Sequence, residues 1–169
     1  FFVGISATRS GKWIVIESSS KTSSEAWLVD ATSPLDQARC VVPRQDNIEY
    51  SVDHWGDHFA IVTNKDAQDF RVVLAKESSP DRWTDFISHV EGQRITGFDC
   101  FKSCAVMQRW VEGQQVISLV TRDGDATDIH VLDDPHEVEL DANPDWDIQS
   151  VRISFQSLSR PATVAAFNI

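Results

Sequence analysis

Trp13-Ile14-Val15-Ile16, Phe59-Ala60-Ile61-Val62, Cys104-Ala105-Val106-Met107 and Val151-Arg152-Ile153-Ser154-Phe155 are the runs on which the fold turns. They recur about every 45 residues, the length of one propeller blade. A second series keeps the same step: Ala26-Trp27-Leu28-Val29, Phe70-Arg71-Val72-Val73-Leu74, Val116-Ile117-Ser118-Leu119-Val120 and Thr163-Val164-Ala165-Ala166-Phe167. A third precedes each unit, as Phe2-Val3-Gly4-Ile5, Tyr50-Ser51-Val52, Ile95-Thr96-Gly97-Phe98 and Val138-Glu139-Leu140. The runs are short, rich in β-branched and aromatic residues, and partly alternate with polar ones, which suits strands in a layered sheet. No stretch sustains a helical period; the best candidate, Asp81 to Val90, amounts to one or two turns.

Turn residues separate the first and second members of each unit. They are Arg9-Ser10-Gly11-Lys12, Trp55-Gly56-Asp57, Phe101-Lys102-Ser103 and Asn143-Pro144-Asp145-Trp146. Gly reaches positive φ cheaply, and Asn, Asp and Ser mimic backbone turns, so these are hairpin corners. A fourth strand closes the first three units at Ala38–Val42, Trp83–Ile87 and Asp128–Leu132, whereas the last unit stops after its third. Four-stranded antiparallel units in tandem, none able to bury both faces alone, are propeller blades. The expected architecture is an all-β partial β-propeller with blades over 1–46, 47–91, 92–135 and 136–169. The competing architecture is a single β-sandwich of about 15 strands, since regular strand spacing suits both. Repeats in phase favour the propeller.

The 169 residues carry 26 acids against 15 bases, a formal charge of −11. A nucleic-acid binder neutralises phosphates with Lys and Arg, so this balance argues against DNA and RNA, and equally against anionic membranes. No apolar run approaches the ~20 residues that span a bilayer. With no initiator Met and no charged-then-apolar leader, Phe1-Phe2-Val3 is expected to begin a strand inside a longer protein. Cys40, Cys100 and Cys104 make an odd count without zinc-ligand spacing, which fits reduced core thiols in a cytoplasmic setting.

Four stretches invite a chemical reading. Gly4-Ile5-Ser6-Ala7-Thr8 lacks the second glycine of a Gly-x-Ser-x-Gly nucleophile elbow and falls on a strand of the repeat, so no catalytic residue is expected. Asp53-His54-Trp55-Gly56-Asp57-His58 is the densest His and acid cluster, but two imidazoles at a turn without a third ligand read as a polar corner over a packed Trp. Asp141-Ala142-Asn143-Pro144-Asp145-Trp146-Asp147 spaces oxygens like a calcium loop. Trp146 stands where that loop needs Gly, and Arg152 where it needs the bidentate Glu, so a solvated acidic turn is expected and no metal or cofactor. Arg122-Asp123-Gly124-Asp125 reads as a turn. Of the six Trp, Trp13 and Trp27 are expected in the blade core, while Trp55, Trp110 and Trp146 lie near turns.

Ser10 to Ser20, with Thr22-Ser23-Ser24-Glu25-Ala26-Trp27, resembles the propeller of the prolyl oligopeptidase family of serine peptidases, in its oligopeptidase B branch. Pro43-Arg44, Glu49 to His54, Gly56-Asp57-His58-Phe59, Thr63 to Ala67 and Val151 to Leu158 with Pro161 carry the same resemblance, in order, over the whole chain. It implies the C-terminal half of a seven-bladed ring that restricts entry to short peptides. It also implies a partner, an α/β-hydrolase domain in the same polypeptide, holding a Ser-Asp-His triad that cuts after Arg or Lys. None of that triad maps onto this segment. The other functional reading is a stand-alone propeller-like interaction module without enzyme activity. An incomplete ring is expected to expose apolar blade faces at both ends and so to self-associate as a dimer.

Overall fold

The computed structural model describes residues 1–169, with fifteen strands and no helix. The chain divides into two compact units, Phe1–His89 and Val90–Ile169. In the first unit, β1 (Phe2–Ala7), β2 (Trp13–Ser19), β3 (Ser24–Asp30) and β4 (Arg39–Cys40) form one antiparallel sheet in chain order. A second four-stranded sheet holds β5 (Tyr50–Trp55), β6 (His58–Thr63), β7 (Arg71–Lys76) and β8 (Trp83–Ile87), again in chain order. The second unit repeats the plan with β9 (Gln93–Cys100), β10 (Ala105–Val111), β11 (Gln114–Val120) and β12 (Ala126–Asp128). Its other sheet has three strands, β13 (His136–Leu140), β14 (Ser150–Ser157) and β15 (Thr163–Asn168).

Pairing register explains which side chains meet. Val15 lies opposite Leu28, and Phe59 opposite Ala75, so each pair shares a sheet face. Trp13, Val15, Ala26 and Leu28 of the first sheet pack on Phe59, Ile61, Val73 and Ala75 of the second, with Trp13 edge-on to Phe59 at 5.3 Å. Phe59 has no exposed surface, and its truncation to Ala would cost roughly 3–5 kcal/mol. In the second unit Phe101, Val106 and Ile117 meet Val138, Val151, Ile153 and Phe155. There, Gln115 and Gln108 accept hydrogen bonds from the backbone N–H groups of Val138 and Leu140 at 3.1 and 3.3 Å. These contacts tie the inner strand of one sheet to its neighbour. Glu112 and Gly113, both at positive φ, close the two-residue β10–β11 hairpin, the primed-turn geometry that matches strand twist.

Several expectations need correction. Trp27 is 36% exposed rather than core, because it lies opposite Ile16 and Cys40, on the face turned away from the second sheet. The outer strand expected over Ala38–Val42 narrows to Arg39–Cys40, cut short as Pro43 leaves the ladder. That expected over Asp128–Leu132 sits earlier, at Ala126–Asp128, with Ile129 and Leu132 turned into the core of the second unit. No helical turn forms between Asp81 and Val90; Trp83–Ile87 is β8, pairing with β7. The outer face of the last sheet is mixed rather than apolar, with Val164 exposed among charged and polar residues. Opposite its buried Val138, Ile153 and Phe155 it presents Glu137, Glu139, Arg152 and Gln156.

Candidate functional site

Of the clusters singled out above, the one around His54 is built into something specific. His54 lies opposite Phe59, which turns its ring toward the first sheet, where it is 2% exposed. His58 lies opposite Trp55 on the other face, so the two imidazoles do not converge. His58 instead meets Asp57 at 2.6 Å, and Trp55 packs beneath the corner, 5.7 Å from Phe86.

The His54 ring joins three elements. Its Nδ1 meets the Ser10 hydroxyl at 2.7 Å, and its Nε2–H donates to Glu77 Oε1 at 2.6 Å. The Glu77 carboxylate keeps a proton on Nε2, since an ionised carboxylate only accepts. Lys12 Nζ reaches the same Glu77 oxygen at 2.6 Å, and Ser10 Oγ also meets Thr8 Oγ1 at 3.0 Å. Ser10 and Lys12 come from the β1–β2 corner, His54 from β5, and Glu77 from the turn after β7. Partial burial pushes the Glu77 carboxyl up, but the hydrogen bonds and charges of Lys12 and His54 outweigh it and hold it below its usual range. Sequence reading missed Ser10 and Glu77 because they lie 44 and 23 residues from His54. No local signal marks them.

A serine on a buried histidine on a carboxylate has the connectivity of a hydrolytic triad. An oxyanion hole would also need free backbone amides beside Ser10. The Gly11 amide is spent on the Thr8 carbonyl at 2.8 Å, and the Lys12 amide points at Ser10 Oγ itself at 3.4 Å. Neither is left to bind a developing oxyanion.

At the opposite end of the same two sheets stands a second clasp. The Tyr50 hydroxyl donates to the Val42 carbonyl at 2.6 Å and accepts from the Ala26 amide at 2.8 Å. Burial, more than any other cause, pushes its phenol up to about 12. Ser24 Oγ donates to the Tyr50 carbonyl and accepts from the Tyr50 amide, both at 2.6 Å. Two hydrogen-bonded clasps therefore bracket one apolar core.

The remaining candidates do not form sites. Asn143 is buried and spends its side chain on its own hairpin, donating to the Asp141 and Arg152 carbonyls and accepting from the Arg152 amide at 2.8 Å. Asp147 pairs with Lys102 at 2.5 Å. The side chains of Asn143 and Asp147 are thus turned to separate partners. Arg122–Asp125 is a turn held by the Thr121 and Asp125 backbones. All three cysteines are free, and burial raises the thiols of Cys40 and Cys104, which makes them poor nucleophiles.

Comparison with known proteins follows the same architecture. The family model for the prolyl oligopeptidase N-terminal beta-propeller domain matches residues 1–169. A dipeptidyl aminopeptidase BI from Pseudoxanthomonas mexicana is 30% identical over 171 residues, covering 99% of this chain and 24% of that protein. A protease 2 from Moraxella lacunata is 29% identical over 169 residues, covering 100% and 24%. Oligopeptidase B from Trypanosoma brucei, in a closed form with covalently bound antipain, superposes with a TM-score of 0.85 at 25% identity, over 99% of this chain and 28% of that one. Oligopeptidase B from Leishmania major shares the fold at a TM-score of 0.93 and 19% identity, over 99% and 26%. The chain spans about a quarter of the length of these curated relatives. With the match running through every residue of three four-stranded meanders and a fourth of three strands, the chain belongs to the prolyl oligopeptidase N-terminal β-propeller family.

Proposed function

We propose that this chain is the substrate-access segment of a serine oligopeptidase resembling oligopeptidase B, and that it is not itself catalytic. The observation that carries the reading is the family match over the full length, joined to a Ser10-His54-Glu77 chain that clasps two sheets without oxyanion donors. The bond-breaking groups then lie in an α/β-hydrolase domain of the same polypeptide, and the blades limit entry to short, unstructured peptides. The acid excess of 26 over 15 supports peptides bearing Arg or Lys, since a negative field concentrates cations and salt weakens it. Three free cysteines support a reducing, cytoplasmic setting. Separated from the rest of its protein, the segment self-associates.

The test compares the full polypeptide with residues 1–169 on an arginyl peptide reporter. Hydrolysis belongs to the full polypeptide alone, and its kcat/KM falls as ionic strength rises. Cleavage by the isolated segment, lost on Ser10→Ala, refutes the non-catalytic reading; a kcat/KM indifferent to salt refutes the electrostatic one.

A further inference from the structure

At the outer edge of the second sheet lies a hollow of about 460 Å³, lined by His58, Leu74, Lys76, Ser79, Arg82, Thr84 and Asp85. Register builds its floor. His58 lies opposite Lys76, and Leu74 lies opposite Thr84, so these side chains share one face of β6, β7 and β8. The β7–β8 connection then folds back in consecutive turns, the Ser79 amide bonding the Lys76 carbonyl at 2.9 Å and the Arg82 amide the Ser79 carbonyl at 3.1 Å. Those turns carry Ser79 and Arg82 round to the rim.

The charges of this hollow run against those of the chain. Four of the fifteen cations on this −11 chain are paired with carboxylates: Lys12 with Glu77, Arg71 with Asp85, Lys102 with Asp147 and Arg109 with Asp128. The side chains of Lys76 and Arg82 have no such partner. The hollow's own acid, Asp85, is taken by Arg71 at 2.8 Å, and Asp57 beside it is taken by His58 at 2.6 Å. Two uncompensated cations therefore face one concavity, together with the Ser79 and Thr84 hydroxyls and the second ring nitrogen of His58. A concave, low-dielectric wall focuses such a field.

We propose that this hollow binds a phosphate-type oxyanion, held between the Lys76 ammonium and the Arg82 guanidinium with the Ser79 and Thr84 hydroxyls as further donors. Guanidinium and ammonium together match a tetrahedral dianion better than a single carboxylate, because the fork of Arg engages two oxygens at once while Lys supplies a point charge. The apolar Leu74 on the floor and the volume leave room for a body attached to the anion. This inference stands apart from the peptidase reading, since these residues touch neither the His54 nor the Tyr50 clasp.

The experiment titrates the full polypeptide with inorganic phosphate, pyrophosphate and acetate at matched ionic strength, followed by calorimetry. Phosphate and pyrophosphate bind saturably and acetate at least tenfold more weakly. The pair of substitutions Lys76→Ala and Arg82→Ala lowers phosphate affinity at least tenfold, while Lys21→Ala, an exposed cation elsewhere, leaves it unchanged. Equal responses to acetate and phosphate, or a double variant that binds as the parent does, overturn the proposal. So does the absence of saturable binding at about ten millimolar anion. Circular dichroism of the double variant confirms that it is folded; should it not be, Arg82→Lys, which keeps the charge and removes the fork, must weaken pyrophosphate binding or the proposal fails.

Discussion

Replacing Tyr50 with Phe removes one oxygen atom and should loosen the first two sheets out of proportion to its size. In the native structure that hydroxyl stands where a strand partner is missing. β4 pairs for only two residues, and the Val41 amide makes one more bond to the Ala26 carbonyl before Pro43 departs. The Ala26 amide would then have no acceptor, and the phenol supplies one at 2.8 Å while donating to Val42 at 2.6 Å. Loss of one net hydrogen bond costs ~1 kcal/mol, and a buried amide stripped of its acceptor costs ~1–3 kcal/mol. The Val42 amide, 3.4 Å from the same oxygen, adds little. The sum is about 2–4 kcal/mol, or roughly 4–16 °C in Tm for a domain of this size. Amide hydrogen exchange gives the sharpest readout, because it resolves Ala26 itself from whichever unit melts first. Protection at Ala26 should fall by about thirty- to eight-hundredfold in the Phe variant, while Ile153 in the second unit keeps its rate. The phenol also sets an alkaline limit. Its folded value of about 12 lies above the ordinary 10, so its contribution is complete below pH 10 and is lost as pH rises through about 12. A Phe variant within about 0.5 kcal/mol of the parent, or with Ala26 still protected, would show that the hydroxyl is incidental.

Two further outcomes follow from the other polar contacts. Glu77 is held below its unfolded value, so its contribution is present above the unfolded pKa and disappears as pH falls through the folded one. Glu77→Gln should therefore flatten the stability–pH curve below about pH 4, measured by urea unfolding across an acid series, and an unchanged acid limb would contradict the clasp. Asn143→Ala strips three hydrogen bonds from the β13–β14 corner and should destabilise the second unit by roughly 2–3 kcal/mol, with millimolar calcium leaving the parent's Tm unmoved; a calcium-induced rise would restore the metal reading of Asp141–Asp147.

The strands were legible because a sheet face writes itself into sequence with a period of two, and a blade repeats that message at fixed intervals. Trp13, Phe59, Val106 and Ile153 are core residues at matched places, and each was readable from its run. Outer strands were less legible because they are short and pair on one side only, so packing and not pattern sets where they stop. The error over Trp27 has a related cause. Alternation says that neighbouring residues face opposite ways, but not which face another sheet covers, and in the first sheet both faces are apolar. The His54 chain was illegible for a different reason. Its members are joined by the stacking of two sheets, and no spacing along the chain encodes a contact between the corner at Ser10 and the turn at Glu77.

The polarity of the open faces of the first and last sheets decides how the isolated segment should associate. The first sheet's open face carries Val3 and Ile5, 73% and 72% exposed, with half-buried Ile14, Ile16 and Val29 and exposed Trp27 beside them. The last sheet offers Glu137, Glu139, Arg152 and Gln156 around an exposed Val164. An apolar face gains little on one so rich in charge, so head-to-tail stacking into filaments is disfavoured, and like should meet like about a two-fold axis. Three strands of six or seven residues and a fourth of two, ~4.8 Å apart, give a footprint of roughly 350 Å² per partner. That is about half the ~800 Å² per partner of a standard interface, so dimerisation should be weak, setting in at tens of micromolar and stopping at two. Ile5→Lys places a charge at the middle of this patch and should leave a monomer at every concentration reachable in sedimentation equilibrium. Growth beyond a dimer, or a Lys variant that associates as readily as the parent, would mean that some other surface holds the copies together.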